Sequence, residues 1–345
     1  GICPKEGYKA VMTSIDQIDS IDRRLCVAPM MDWTDRHCRV FHRHLVPDAL
    51  LFTEMVTAEA VIHGDLDRLL GHNEIEHPLV LQLGGSQPER LAMAVERAAD
   101  KGFAEINLNV GCPSDRVQSG RFGACLMAEP KLVADCCSAM MAASDLPVTV
   151  KCRIGIDDMD PETGLDQFVD LVADAGVRIF YLHARKAWLK GLSPKENRDI
   201  PPLDYDRARR LAMRRDDLGV ILNGGLETKA QIATEITGFA GVMLGRAAYR
   251  TPYILTEIAN DFFAASPPSR RQVAEAMAAY ADQMMENHVP LHSITRHMLG
   301  LYAGQRGAKH WRRQLGEQAR LADDGGAFIR KAADECEILA AKLAA

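Results

Sequence analysis

The chain has 345 residues, 47% of them hydrophobic and 26% charged, an ordinary globular composition on a chain too long for one small core. A net charge of −6 excludes a uniformly basic nucleic-acid binder but leaves room for a local basic patch. No stretch approaches about twenty consecutive apolar residues, so no membrane span is expected.

Residues 1–22 have no basic start followed by an apolar run. They are expected to form a short lead-in, not a secretory signal. The nine cysteines are an odd number and none forms a C-x-x-C pair. This predicts free thiols in a reducing, cytoplasmic setting and no metal site.

From residue 24 onward, short β-branched and apolar runs alternate with amphipathic ones. The predicted strands are RLCVAPM (24–30), LLFTEMV (50–56), PLVLQLG (78–84), AEINLNVG (104–111), PVTVKCRIG (147–155), RIFYLHAR (178–185), GVILNGG (219–225) and GVMLGR (241–246). Their starts lie about thirty residues apart, the length of one βα unit. After the third strand, Ser86 with Glu89 suggests a capping box, Pro88 a first turn and Gly102 a stop. Leu91, Val95 and Ala98 or Ala99 give that helix its apolar face. Further helices are predicted in ETGLDQFVDLVADAG (162–176) and ETKAQIATEITG (227–238). Eight βα units predict an α/β fold, a (β/α)8 TIM barrel over residues 23–265, with a doubly wound open sheet as the alternative.

The composition shifts at SPPSRR (266–271), and residues 266–345 read as a small all-α bundle. Val273, Met277, Tyr280 and Met284 form one helical stripe. Ile294, Met298 and Leu301 form a second, and Ala332, Cys336, Leu339 and Leu343 a third. Residues 287–316 contain no Asp or Glu but carry Arg296, Arg306, Lys309, Arg312 and Arg313, with four histidines and Trp311. That pattern suits an RNA backbone, although a solvated basic face would look the same.

Barrel chemistry belongs at the C-terminal ends of the strands. Polar and special residues gather there: Pro29, Met30 and Met31; Gln82; Asn109 and Cys112; Lys151 and Arg153; His183 and Arg185; Asn223, Gly224 and Gly225; Gly245 and Arg246. The glycines after strands seven and eight suit phosphate binding, and tight βα turns would also ask for them. A lysine, a phosphate site and a glutamine able to meet a flat heterocycle fit flavin mononucleotide, or pyridoxal phosphate. His183 taken alone could be a satisfied core histidine. Cys112 stands between Gly111 and Pro113 where its strand ends. It reads as a buried small residue or as a thiol held at the barrel mouth, acting as nucleophile or proton donor.

The run NLNVGCPSDRVQSGRFGACLM (107–127) resembles the signature of the tRNA-dihydrouridine synthases. The likeness extends through APMMDWTDRHCR (28–39), TEMVTAEAVIHG (53–64), LQLGGSQPE (81–89), VKCRIGID (150–157), LHARKAWLKGLSPKENRDIPPLDY (182–205) and GVMLGRAAYRTP (241–252). It covers roughly residues 23 to 316, and GLSPKENRDIPPLDY with RHMLGLYAG (296–304) resembles the A-type branch acting at D-loop positions 20 and 20a. The resemblance implies an FMN-binding barrel with NADPH as reductant, tRNA as substrate and no obligate protein partner. Cys112 would then be the proton donor to C5 of uracil, with hydride going to C6. Pro29 to Met31, Gln82, Lys151, His183, Asn223 to Gly225, Gly245 and Arg246 would hold the flavin. Asn109 would meet an extruded uridine. Arg153, Arg185, Lys195, Arg198, Arg296, Lys309, Arg312 and Arg313 are the candidate tRNA contacts. The loop 186–205, with Lys186, Lys190 and Trp188, is long for a βα connection and is expected to grip RNA. A flavin barrel reducing a free pyrimidine or other small molecule is the runner-up, and would not need segment 287–316. A non-catalytic RNA binder would not need the rim.

Overall fold

The structure, a computed structural model, describes residues 21–114, 117, 120–264 and 266–342. Most of the expected lead-in, Cys3, Leu343 and Asp115, Arg116, Gln118 and Ser119 of the motif lie outside the described residues.

The chain forms two compact units. Among the described residues, the first takes 21–30, 50–72 and 77–244. It holds the strands β1 (Leu25–Val27), β2 (Leu51–Thr57), β3 (Leu79–Gly84), β4 (Glu105–Val110), β5 (Val148–Arg153), β6 (Ile179–His183), β7 (Gly219–Asn223) and β8 (Gly241–Leu244). All pair in parallel, in the order β1-β8-β7-β6-β5-β4-β3-β2. A bridge from Cys26 to Leu50 joins the two ends, with Leu50 N–H donating to the Leu25 carbonyl at 2.9 Å. A sheet that returns on itself in sequence order is a barrel, and a doubly wound sheet is excluded.

Successive residues of a strand face opposite sides, so each strand gives one row to the barrel interior. On one side that interior is apolar: Cys26, Leu50, Phe52, Val80, Ile179, Tyr181, Ile221 and Met243 pack together. On the side of β3, β4 and β5 it is polar. Gln82, Glu105, Asn107 and Thr149 are buried there and bonded to one another. Leu81, Ile106, Leu108 and Val150, the alternate positions, are fully buried on the other face of the sheet. The E-I-N-L-N-V alternation of β4 is therefore a strand apolar on one face and polar inside.

The helix after β3 runs Pro88–Ala98 and buries Leu91, Val95 and Ala98 as expected. Its capping differs from the expectation. Gln87 takes the cap position with no side-chain cap bond. Proline disfavours helical backbone in the residue before it, which moves the start one residue past Ser86 and breaks the Ser86–Glu89 register. Gly102 stops the chain at φ +83.

The second unit comprises, among the described residues, 31–49, 73–76 and those from Gly245 to Lys342. The linear division at 265/266 drawn from the sequence follows composition, whereas these units interleave along the chain. Its longer helices are Arg36–Leu45, Tyr253–Phe263, Arg270–Glu286 and Gly325–Lys342. Ser269 and Gln272 form a reciprocal capping box at the start of the third. The first two apolar stripes meet in one core with Val40, Phe41 and Leu45, and of the third Ala332 and Cys336 join it. The second stripe is not one helix, however: only Leu291–Thr295 is helical, and turns follow. Gly300 lies where a Cβ would stand 2.5 Å from the Arg250 carbonyl oxygen, and Gly304 has φ +75. Ile294, Met298 and Leu301 still reach the core.

Candidate active site

Cys112 sits just past β4, half-buried, in a turn held from two sides. The carboxamide oxygen of Asn109 accepts the N–H groups of Gly111 (3.1 Å) and Cys112 (3.0 Å). The Ala124 N–H donates to the Cys112 carbonyl at 2.9 Å. Gly123, at φ +75, lets that segment approach, because a Cβ there would stand 2.6 Å from the Cys112 oxygen. The thiol Sγ lies 3.6 Å from Ser114 Oγ.

Beside it, β5 and β6 carry a cluster of nitrogen groups. Lys151 pairs in register with Asn109, and Arg153 with His183. Lys151 Nζ donates to Asn223 Oδ1 at 3.0 Å, and Asn223 Nδ2 donates to the Met243 carbonyl at 2.7 Å. Burial, and then the neighbouring Arg153 charge, lower the Lys151 pKa to about 8. Burial pushes His183 well below its ordinary range, helped by Arg153, Lys151, Arg185 and Arg198. The imidazole is therefore neutral at pH 7 beside a cationic lysine. Such a wall of positive charge favours an anion.

At the end of β7 the backbone packs closely against β6. Gly224 has φ +114, and a Cβ on it would stand 2.5 Å from the His183 ring. Tyr205 donates to the Gly224 carbonyl at 2.6 Å and fixes that turn. Pro29 and Met30 follow β1 and are half-buried. Met31, which is 55% exposed, and Gly245 and Arg246 belong to the second unit.

The family model of dihydrouridine synthase (Dus) matches residues 26–337. The chain belongs to the dihydrouridine synthase family. A tRNA-dihydrouridine(20/20a) synthase of Vibrio vulnificus is 51% identical over 312 residues, covering 90% of this chain and 95% of that one. One of Xanthomonas campestris is 52% identical over 322 residues, covering 93% and 96%. An old yellow enzyme homologue from Zymomonas mobilis shares the fold at 12% identity, with a TM-score of 0.51 over 72% of this chain and 90% of its own. Membership makes the chain a flavin-dependent oxidoreductase.

Within this synthase several of the expected contact residues have partners inside the chain. Arg153, a candidate substrate contact, is 3% exposed. Its guanidinium donates to the carbonyls of Gly111 (2.9 Å), Lys186 (3.0 Å) and Asn197 (3.1 Å). It ties the Cys112 turn to the loop after β6. Trp311, grouped with the basic footprint, is a fully buried core residue whose indole N–H donates to the Met298 carbonyl at 2.8 Å. Lys186 is also engaged, donating to the Met159 carbonyl at 2.7 Å. Arg185 donates to the Pro201 carbonyl. Lys195 and Arg198 are exposed on the loop, as are Arg296, Lys309, Arg312 and Arg313 in the second unit.

Two further residues, Asn197 and Tyr205, hold the site in place. Asn197 is fully buried and staples the loop, donating to the Trp188 carbonyl (2.9 Å) and accepting from the Trp188 N–H (2.8 Å). Tyr205 holds Gly224. Loop asparagines usually signal turns, so nothing in the local pattern marked Asn197 as an anchor.

Proposed function

We propose that this protein is a tRNA-dihydrouridine(20/20a) synthase, which reduces the C5=C6 bond of uridine in the tRNA D-loop with FMN and NADPH. The observation that carries the reading is the rigid Cys112 turn beside Lys151 and His183, within a family of dihydrouridine synthases. The curated relatives bear that activity in their names, and the chain spans nearly their full length.

The barrel residues fit a flavin. The positive-φ Gly224 and Gly225 make a tight turn that no side chain would fit, and Lys151 is a cation short of hydration with a neutral amide as its partner. Pro29, Met30, Gln82, Lys151, His183 and Asn223 to Gly225 would hold it. Met31, Gly245 and Arg246 join the set on sequence position alone. When bound, the flavin supplies the hydride that uracil C6 accepts.

The protein's own part is orientation and the proton. Uracil stacked in folded RNA has to be extruded to enter a pocket. Hydride addition at C6 builds negative charge conjugated with the C4 carbonyl. Cys112 delivers the proton to C5, so that one hydride and one proton are added in balance. Asn109 has a second amide hydrogen to offer the base. Lys195 and Arg198, and separately Arg296, Lys309, Arg312 and Arg313, engage phosphates. The reading places the protein in the cytoplasm, and among the described residues no helix is long and apolar enough to cross a membrane.

The test is an absorbance titration of the purified protein. Flavin bands at roughly 370 and 450 nm should bleach with NADPH and return anaerobically only on adding unmodified tRNA. Bands that bleach but ignore tRNA would make this a small-molecule reductase. No flavin band, even after adding FMN, would overturn the reading of the rim.

A further inference from the structure

Glu105, Thr149, Asn107, Gln82 and Asn109 form one row of hydrogen bonds along the polar side of the barrel interior, ending at the Cys112 turn. Glu105 is fully buried at its root. Arg23 donates to Glu105 Oε2 at 2.9 and 2.5 Å, and the Tyr181 hydroxyl donates to Oε1 at 3.0 Å. A carboxylate only accepts, so the Thr149 hydroxyl donates to Oε1, at 2.5 Å. Its one hydrogen is then spent, and Thr149 Oγ accepts from Asn107 Nδ2 at 2.9 Å. Asn107 Oδ1 accepts from Gln82 Nε2 at 2.8 Å. Gln82 Oε1 accepts from Asn109 Nδ2 at 2.8 Å. That leaves Asn109 Oδ1 for the Gly111 and Cys112 N–H groups.

The row has a direction. Reversing any amide would set donor against donor on one side and acceptor against acceptor on the other, a costly arrangement for buried groups. We propose that Glu105 is a positioning residue for Cys112, acting through Thr149, Asn107, Gln82 and Asn109 to fix the turn that carries the thiol. The same direction decides which atoms Gln82 and Asn109 keep for their other partners. Glu105 stands at the start of β4, seven residues before the cysteine, with no contact to it of its own. The turnover consequence rests on the reading of Cys112 as proton donor; the placement of the thiol does not.

Thr149→Val keeps the side-chain shape and removes the hydroxyl, while Thr149→Ser keeps the hydroxyl. In the flavin-loaded protein without tRNA, alkylation of Cys112 by iodoacetamide is measured by peptide mass spectrometry. Cys125, also half-buried, serves as the internal reference. Thr149→Val is expected to change the Cys112 to Cys125 ratio by about threefold or more, and to lower kcat on tRNA about tenfold or more at unchanged KM. Thr149→Ser is expected to restore both. If Thr149→Val fails to fold, Glu105→Gln, which puts a donor into the root of the row, is expected to act in the same direction. A wild-type ratio and turnover in the folded variant overturn the proposal. So does Thr149→Ser behaving as Thr149→Val, because the effect would then belong to packing. If the wild-type protein has no turnover on tRNA, the proposed function fails while the alkylation ratio still decides the role of the row.

Discussion

Arg153 in the barrel and the pair Arg312 and Arg313 in the helical unit use the same side chain in opposite ways. Arg153 is buried, its guanidinium bonded to three carbonyls, and burial lowers its pKa to about 10. Arg312 and Arg313 end the short helix Ala308–Arg313 and are exposed. The first kind of arginine matters through geometry: it holds two backbone segments at a fixed distance. The second matters through charge, and any cation at that place would do much of its work. Substitutions around the Cys112 turn should therefore act on chemistry and barely on salt dependence, and those on the helical surface should do the reverse.

The largest effect separates proton delivery from everything else at the rim. Cys112→Ala should retain flavin and its reduction by NADPH, while turnover on tRNA falls by about a hundredfold to ten-thousandfold. Stopped-flow flavin reduction together with dihydrouridine quantification in product tRNA checks this. Normal turnover in that variant would remove Cys112 from the role of acid.

Arg153→Lys comes next. It keeps the charge but cannot reach the Gly111, Lys186 and Asn197 carbonyls together. Expected is a loss in kcat of about tenfold to a hundredfold, with a salt dependence of tRNA binding like that of the wild type. If the lysine variant keeps full turnover, charge and not the clamp is what Arg153 contributes, and the contrast with the helical surface collapses.

What could be read from the sequence follows the same contrast. The barrel showed because β-branched runs recur at βα spacing, and backbone pairing obeys that pattern. Cys112, Lys151 and His183 showed because polar residues at strand ends are unexpected in a core. Arg153 also stood out for that reason, but composition cannot tell an arginine aimed at solvent from one bonded to carbonyls. The partner of Arg153, Asn197, is 44 residues away in the chain. The Glu105 row has the same cause: its links cross strands, between residues 25 to 44 positions apart. Trp311 beside basic residues read as part of an RNA surface, while the helix turns the indole inward and its neighbours Arg312 and Arg313 outward.

Neutralising the helical surface should give a smaller, purely electrostatic effect. Arg312→Ala with Arg313→Ala is expected to weaken tRNA binding about tenfold near physiological salt, and to reduce the slope of log K against log salt by roughly two. Flavin content and kcat at saturating tRNA should be unchanged. Filter binding across a salt series checks it, and an unchanged slope would take these residues off the RNA.

The smallest effect is a pH dependence at a lysine that belongs to both categories, since Lys151 is held in place and also acts by its charge. Its pKa of about 8 lies below its ordinary value of 10.5 because burial and Arg153 disfavour the ammonium. It is cationic below about 8 and neutral above. FMN affinity of the flavin-free protein should therefore be flat up to about pH 8 and then fall, by no more than about tenfold per unit for a single titrating group. The stability contribution of the same group has the opposite sign. Between about 8 and 10.5 the unfolded chain holds a proton that the folded one has released, so stability from Lys151 rises with pH across that window. Weaker binding above pH 8 consequently cannot come from unfolding at this residue. Lys151→Met should bind FMN more weakly at pH 7 and lose the step at pH 8, as read by quenching of flavin fluorescence. A variant that kept the step would assign the titration to another group and leave Lys151 as packing alone.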